Sequence, residues 1–238
     1  MCASLIVCYD SPCQHFDVSP GTLPSTIGLL EKLEWLDLLN NQFSGTLPTE
    51  IGQLTKVTML TAYANSLGGS LPSEMGLLAG INLIRIGNNQ FTGLVPSELG
   101  LLTNLEKRLN LEYNRLSGTI PTQLGLLTRL IGLNLHGNQL FGPIPSELGL
   151  LTSLGTLTLA NNSLSGRVPQ ELLALQPSLY ALSLEGNPLS GTIPEGLCSI
   201  NGTCVQSALS TCESSGLSFE CSNLLCGCEC SCVVGQSN

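Results

Sequence analysis

The chain has 238 residues, of which 42% are hydrophobic but only 4% aromatic and 11% charged, so its apolar content rests on leucine rather than on large rings. A formal net charge of −9 argues against a broad basic surface for nucleic acid or anionic membrane. No apolar run reaches the roughly 18 to 20 residues needed to cross a bilayer.

The first 21 residues read as an N-terminal cap whose beginning is open to truncation. MCASLIVCYDSPC has a short apolar run but neither a basic n-region nor a clear cleavage site, so no complete signal peptide is visible. Three cysteines fall here; Cys8 and Cys13 are expected to pair, with Cys2 left over or bonded to a missing segment.

From residue 22 to residue 197 the chain repeats. The prolines Pro24, Pro48, Pro72, Pro96, Pro121, Pro145, Pro169 and Pro194 lie 24, 24, 24, 25, 24, 24 and 25 residues apart. A fixed period of this size predicts a solenoid of stacked coils. In each coil an L-x-L core alternates with period two, which predicts a short strand with one face inward. Seven such strands, each reached by a full coil of chain, must run parallel. At about 4.8 Å per strand they make a surface roughly 30 Å long. Both 25-residue intervals carry their extra residue ahead of the strand, in LEKRLNLEYN and LQPSLYALSL.

Asn41, Asn65, Asn89, Asn114, Asn138, Asn162 and Asn187 occupy one place in all seven coils. A buried amide beside inward leucines must be hydrogen-bonded, and its donors and acceptor can tie neighbouring coils together. After each strand a Ser/Thr-Gly pair or a variant predicts a tight bend. The proline that follows, with glutamate two residues on, predicts a short helical turn starting at the proline. That glutamate recurs as Glu50, Glu74, Glu98, Glu147 and Glu171, so part of the negative charge is a by-product of the repeat.

These residues closely resemble the plant-type leucine-rich repeat, L-x-x-L-x-L-x-x-N-x-L-[ST]-G-x-[IL]-P; good examples are LEWLDLLNNQFSGTLP from Leu33 and LIGLNLHGNQLFGPIP from Leu130. The resemblance implies a right-handed horseshoe with the parallel β-sheet on its concave face, often a second short sheet at the S-G-x-[IL]-P segment, and short 3₁₀ helices on the convex face. It also implies a secreted protein or a receptor-like ectodomain, similar to polygalacturonase inhibitors and to algal leucine-rich-repeat proteins.

Catalytic chemistry finds no support. There is no H-E-x-x-H, P-loop or G-x-S-x-G motif, and His15 and His136 are isolated. Glu112 and Glu185 sit at equivalent strand positions three coils apart, about 14 Å, too far for paired acid–base work. The protein is therefore expected not to be an enzyme and to need no cofactor.

Binding is the better expectation. Counting from the repeated asparagine, the outward strand positions gather Trp35, Asp37, Leu39, Met59, Thr61, Tyr63 and Leu83 on the first three coils, with Arg85, Arg108 and Glu112 beside them. Exposed aromatic and apolar side chains next to arginine are typical of binding hot spots. Later coils present small residues, Thr156, Thr158, Ala160, Ala181 and Ser183. The alternative is that the N-terminal cap covers the apolar patch. Two N-glycosylation sequons begin at Asn161 and Asn201.

Residues 198–238 form a cysteine-rich C-terminal cap: Cys198, Cys204, Cys212, Cys221, Cys226, Cys228, Cys230 and Cys232, the last four within LCGCECSC. An open solenoid must cover its last leucine layer. The simplest pairing joins the four of LCGCECSC to the four before them, since C-x-C neighbours bridge only with strain. C-x-C spacing also suits zinc or copper(I), but the position at the ends of the repeat favours disulfides and no metal. The sequence thus predicts an extracellular or cell-surface protein that recognises a protein, peptide or glycan, with no nucleic-acid partner and membrane attachment only through a segment missing from this chain. Inhibition of a secreted hydrolase, or a structural cell-wall or adhesion role, stay open beside it.

Overall fold

A computed structural model describes residues 3–8, 14–18, 21–194 and 196–197. The side chains of residues 3–8 and 14–18, the cysteine-rich segment 198–238 and Asn201 lie outside what is described, and with them every expected cysteine pair.

The described chain is the right kind of solenoid. Seven strands stack in chain order on one face: Trp35–Asp37, Met59–Thr61, Leu83–Arg85, Arg108–Asn110, Gly132–Asn134, Thr156–Thr158 and Ala181–Ser183. All neighbouring pairs are parallel and in strict register, Leu36 beside Leu60, Leu60 beside Ile84, and so on to Leu182. The extra residue of the fourth coil is absorbed before its strand, where Lys107 N–H donates to the Asn82 carbonyl at 2.9 Å. The extra residue of the seventh is absorbed in a six-residue helical turn, Gln170–Leu175.

Each strand's central side chain points into a single column of leucine. Leu36, Leu60, Ile84, Leu109, Leu133 and Leu157 have no exposed surface at all. Burying one such side chain is worth about 1.5–3 kcal/mol, and because each layer rests on the next, stability is set by nearest-neighbour layers. A hairpin of Ala3–Cys8 and Gln14–Val18 continues the sheet at its N-terminal edge, with Ala3–Cys8 antiparallel to the first coil's strand, Cys8 opposite Trp35 and Ile6 opposite Asp37.

The Ser/Thr-Gly segments form a second parallel sheet of six strands, from Ser44–Thr46 to Ser163–Leu164, and a two-stranded continuation of Gly166–Arg167 with Leu189–Ser190. Its bend needs a left-handed residue, as at Gly45 (φ +76°), which any side chain would strain.

Among the described residues seven complete 3₁₀ turns line the outer face, beginning with Ser25–Leu29 and Thr49–Gln53. Each proline stands one residue earlier than the sequence suggests, as the extended residue before the turn; Pro48 has φ −70°, ψ 146°. The reason is the i→i+3 ring: the Pro48 carbonyl accepts the Ile51 N–H at 3.1 Å, so proline supplies only the acceptor that it has.

Candidate ligand-binding face

The asparagine ladder sets the geometry of the face. Asn114 Nδ2 donates to the Ile86 carbonyl of the preceding coil (3.2 Å) and to Leu111 of its own (3.0 Å), while its Oδ1 accepts the Phe91 N–H (3.0 Å). Asn65, Asn89, Asn138, Asn162 and Asn187 repeat this pattern. Every polar atom of the buried amide is used, so the loops after the strands are held at one spacing.

On this frame Trp35 and Leu39 stand 45% and 39% exposed. The N-terminal hairpin joins the sheet edge-on beside Trp35 and extends the face, leaving the tryptophan open. Met59, Leu83 and Asp37 are half-buried, and Asp37 Oδ1 accepts the Leu39 N–H at 3.0 Å. Thr61 departs from expectation: it is only 4% exposed and has almost no surface to offer a ligand. Its short side chain stands between those of Met59 and Tyr63 along the chain and in register with Arg85 on the next strand.

Tyr63, Arg85 and Glu112 come together. The Arg85 guanidinium lies 5.6 Å from the Tyr63 ring centre, a cation–π distance. Glu112, two coils away, lies within electrostatic reach of the Tyr63 phenol. Gly87 stands between them in the same lane; a Cβ there would lie 2.9 Å from Glu112 Cγ and 2.8 Å from Asn110 Oδ1. Burial first, then the charge of Glu112, hold the Tyr63 phenol above its ordinary value, against the opposite pull of Arg85.

Glu112 is further held by amides. Asn110 Nδ2 donates to its Oε1 at 3.0 Å, and Asn134 Nδ2 donates to its Oε2. In the sequence, LNL in two successive coils beside a glutamate is the signal for this pairing. Next to this cluster His136 Nε2 and the Tyr113 hydroxyl are 3.0 Å apart, their rings edge-to-face at 4.7 Å. Tyr113 takes a left-handed backbone (φ +49°) that lays its ring over Gly137.

Arg108 is exposed, its aliphatic stem against Gly132. The one ion pair among the described residues, Arg129 to Glu106 at 3.0 Å, lies elsewhere on an exposed edge. Arg85 and Arg108 are therefore cations without a carboxylate partner among those residues. The sixth and seventh coils carry half-buried Thr156, Thr158 and Ser183 and a fully buried Ala160, with exposed Asn161 at their margin.

A family model for the Leucine Rich Repeat matches residues 32–54, 107–127, 129–151 and 178–200. Among solved structures, the chain is similar to the LRR ectodomain of the plant membrane receptor kinase GASSHO1/SCHENGEN3 from Arabidopsis thaliana in complex with CASPARIAN STRIP INTEGRITY FACTOR 2. They are 39% identical, with a TM-score of 0.71 over 76% of this chain and 22% of that one. It is similar to the Arabidopsis receptor kinase HAESA in complex with the peptide hormone IDA and the co-receptor SERK1, at 32% identity and TM-score 0.71 over 75% of this chain and 30% of that one. It thus spans less than a third of either receptor chain. A Pollen Receptor Kinase 3 structure is 30% identical, with a TM-score of 0.60 over 67% of this chain and 76% of that one. No curated protein sequence matches the chain.

Proposed function

The chain belongs to the plant-type leucine-rich-repeat family, and on that premise we propose that it is a non-catalytic, extracellular or cell-surface recognition module for an extended peptide or protein segment. The ligand lies across the first four coils of the concave sheet. An apolar side chain meets Trp35 and Leu39, and a negatively charged group meets Arg85 and Arg108.

The observation that carries this reading is the juxtaposition of exposed Trp35 and Leu39 with the preorganised Tyr63–Arg85–Glu112 cluster. Rigid aromatic anchors beside unpaired arginine concentrate binding energy, and fixing them beforehand removes part of the ordering cost. The similar HAESA structure holds a peptide hormone, which supports a peptide over a glycan. No helix among the described residues is long and apolar enough to cross a membrane.

The test is selection of a displayed random-peptide library on the secreted chain, repeated on Trp35→Ala with Tyr63→Ala. Enriched peptides that lose binding to the double variant and keep it on Thr156→Ala with Ser183→Ala support the reading. No enrichment, or enrichment indifferent to Trp35 and Tyr63, overturns it.

A further inference from the structure

The outer face carries an order of its own. Three of the 3₁₀ turns, those of Glu74, Glu98 and Glu147, read E-x-G-L-L, and the turns at Ile27 and Leu124 keep x-G-L-L behind a threonine and a glutamine; in all five the residue after the glycine points outward. Leu77, Leu101, Leu126 and Leu150 occupy this place on four successive coils and are 57%, 62%, 54% and 56% exposed. Leu29 begins the same row at 73%, and Gln53 interrupts it. A scattered exposed leucine means nothing, but a row in register on consecutive coils is a contiguous apolar ridge.

The glycines make it contiguous. A Cβ on Gly76, Gly100 or Gly125 would lie 2.4–2.5 Å from the backbone oxygen of the next coil's turn, so successive turns touch at bare backbone. The core does not need the leucine after the glycine, because the next leucine, such as Leu78 or Leu102, fills it at 1% exposure.

Carboxylates run alongside, in a row broken at Gln123. Glu74, Glu98 and Glu147 sit in the first turn of their helices, and no helix of the seven has a basic residue in its last turn. Their recorded partners are the neighbouring hydroxyls of Ser73, Ser97 and Ser146 at 3.2–3.3 Å, and no ion pair among the described residues involves them.

We propose that this convex ridge docks a cationic amphipathic segment of a protein partner, with leucine-like side chains seated between the exposed leucines and lysine or arginine along the glutamate row. Charge complementarity chooses this occupant. An anionic lipid surface is repelled by the glutamates. A second copy of this chain brings more glutamate, and two convex faces touch over few coils. The proposal is independent of the concave face.

The probe is a fluorescent synthetic peptide of leucine and lysine at helical spacing, titrated into the full secreted chain at physiological salt. A peptide of the same composition in scrambled order is the control. The ordered peptide should bind and the scrambled one should bind far more weakly. Leu101→Ser with Leu126→Ser should weaken binding by about 30-fold or more, the worth of one to two buried leucines. Glu98→Gln with Glu147→Gln should weaken it and flatten its salt dependence. Trp35→Ala with Tyr63→Ala should leave it unchanged. These leucines are exposed, so the serine variants should keep the unfolding midpoint of the parent. Equal binding of both peptides, or binding indifferent to Leu101 and Leu126, overturns the proposal. So does sedimentation showing a dimer that the serine variants dissolve, since a second copy is then the occupant.

Discussion

Coils one to four and coils five to seven of the concave sheet share one backbone and differ in what they hold out from it. Strand register, asparagine bonding and the leucine column run through both halves unchanged. The first half adds the tryptophan, two outward arginines and a tethered glutamate; beyond Asn134 and His136, which border that cluster, the second half adds mainly threonine, serine and alanine, with Glu185 held by Ser183 at its end. Frame and content are therefore separable, and a measurement that treats both halves alike reports on the frame, whereas one that divides them reports on the surface.

The largest effect should ignore the division. Asn89→Ala and Asn162→Ala each strip three carbonyls of a donor and one backbone N–H of an acceptor. Each should cost about 3 kcal/mol or more in urea unfolding, by similar amounts in the two halves. A large disparity would break the picture of a uniform frame.

A glycine pair sharpens the contrast. An alanine at Gly87 meets Asn110 Oδ1 at 2.8 Å and the Glu112 backbone oxygen at 3.0 Å, inside the bonded cluster. An alanine at Gly132 meets Thr156 Oγ1 at 3.0 Å and the flexible Arg108 stem at 3.1 Å. Gly87→Ala should destabilise by about 1–3 kcal/mol and part Tyr63 from Glu112, while Gly132→Ala should cost less than about 1 kcal/mol. Equal costs would mean that the cluster is not tightly packed.

The smallest effect is a titration. In a spectrophotometric pH scan the Tyr63 phenol should ionise late, and Glu112→Gln should bring it back toward the ordinary value, about 10. The raised phenol means that the folded chain holds this proton more tightly than the unfolded one. Its contribution is thus complete below the unfolded value and fades as pH rises through the folded one, so stability falls at alkaline pH. Tyr63→Phe should remove that part of the alkaline loss.

Most of the frame was legible in the sequence, because a period repeated seven times leaves little choice of topology. The outward surface was legible only as a set of candidates. Offset from the asparagine told which side chains leave the sheet, but not how far a neighbour reaches over them. Thr61 was lost that way, between Met59 and Tyr63. Asn110 and Asn134 gained a role because Glu112 falls between them, and Tyr63 reaches Glu112 because Gly87 puts nothing in the way. These are facts about side-chain length across coils, which a pattern read along the chain does not contain. The exposed leucine of E-x-G-L-L hides for the opposite reason, since it looks like one more core residue.

The asparagine ladder also has a direction. From Asn65 to Asn187 each amide spends its oxygen and one donor on the coil before it and none on the coil after. A coil is therefore finished by its successor. In a chain that leaves the ribosome N-terminus first, each newly emerged turn brings the amide that its predecessor still needs, as a ratchet tooth meets the step behind it.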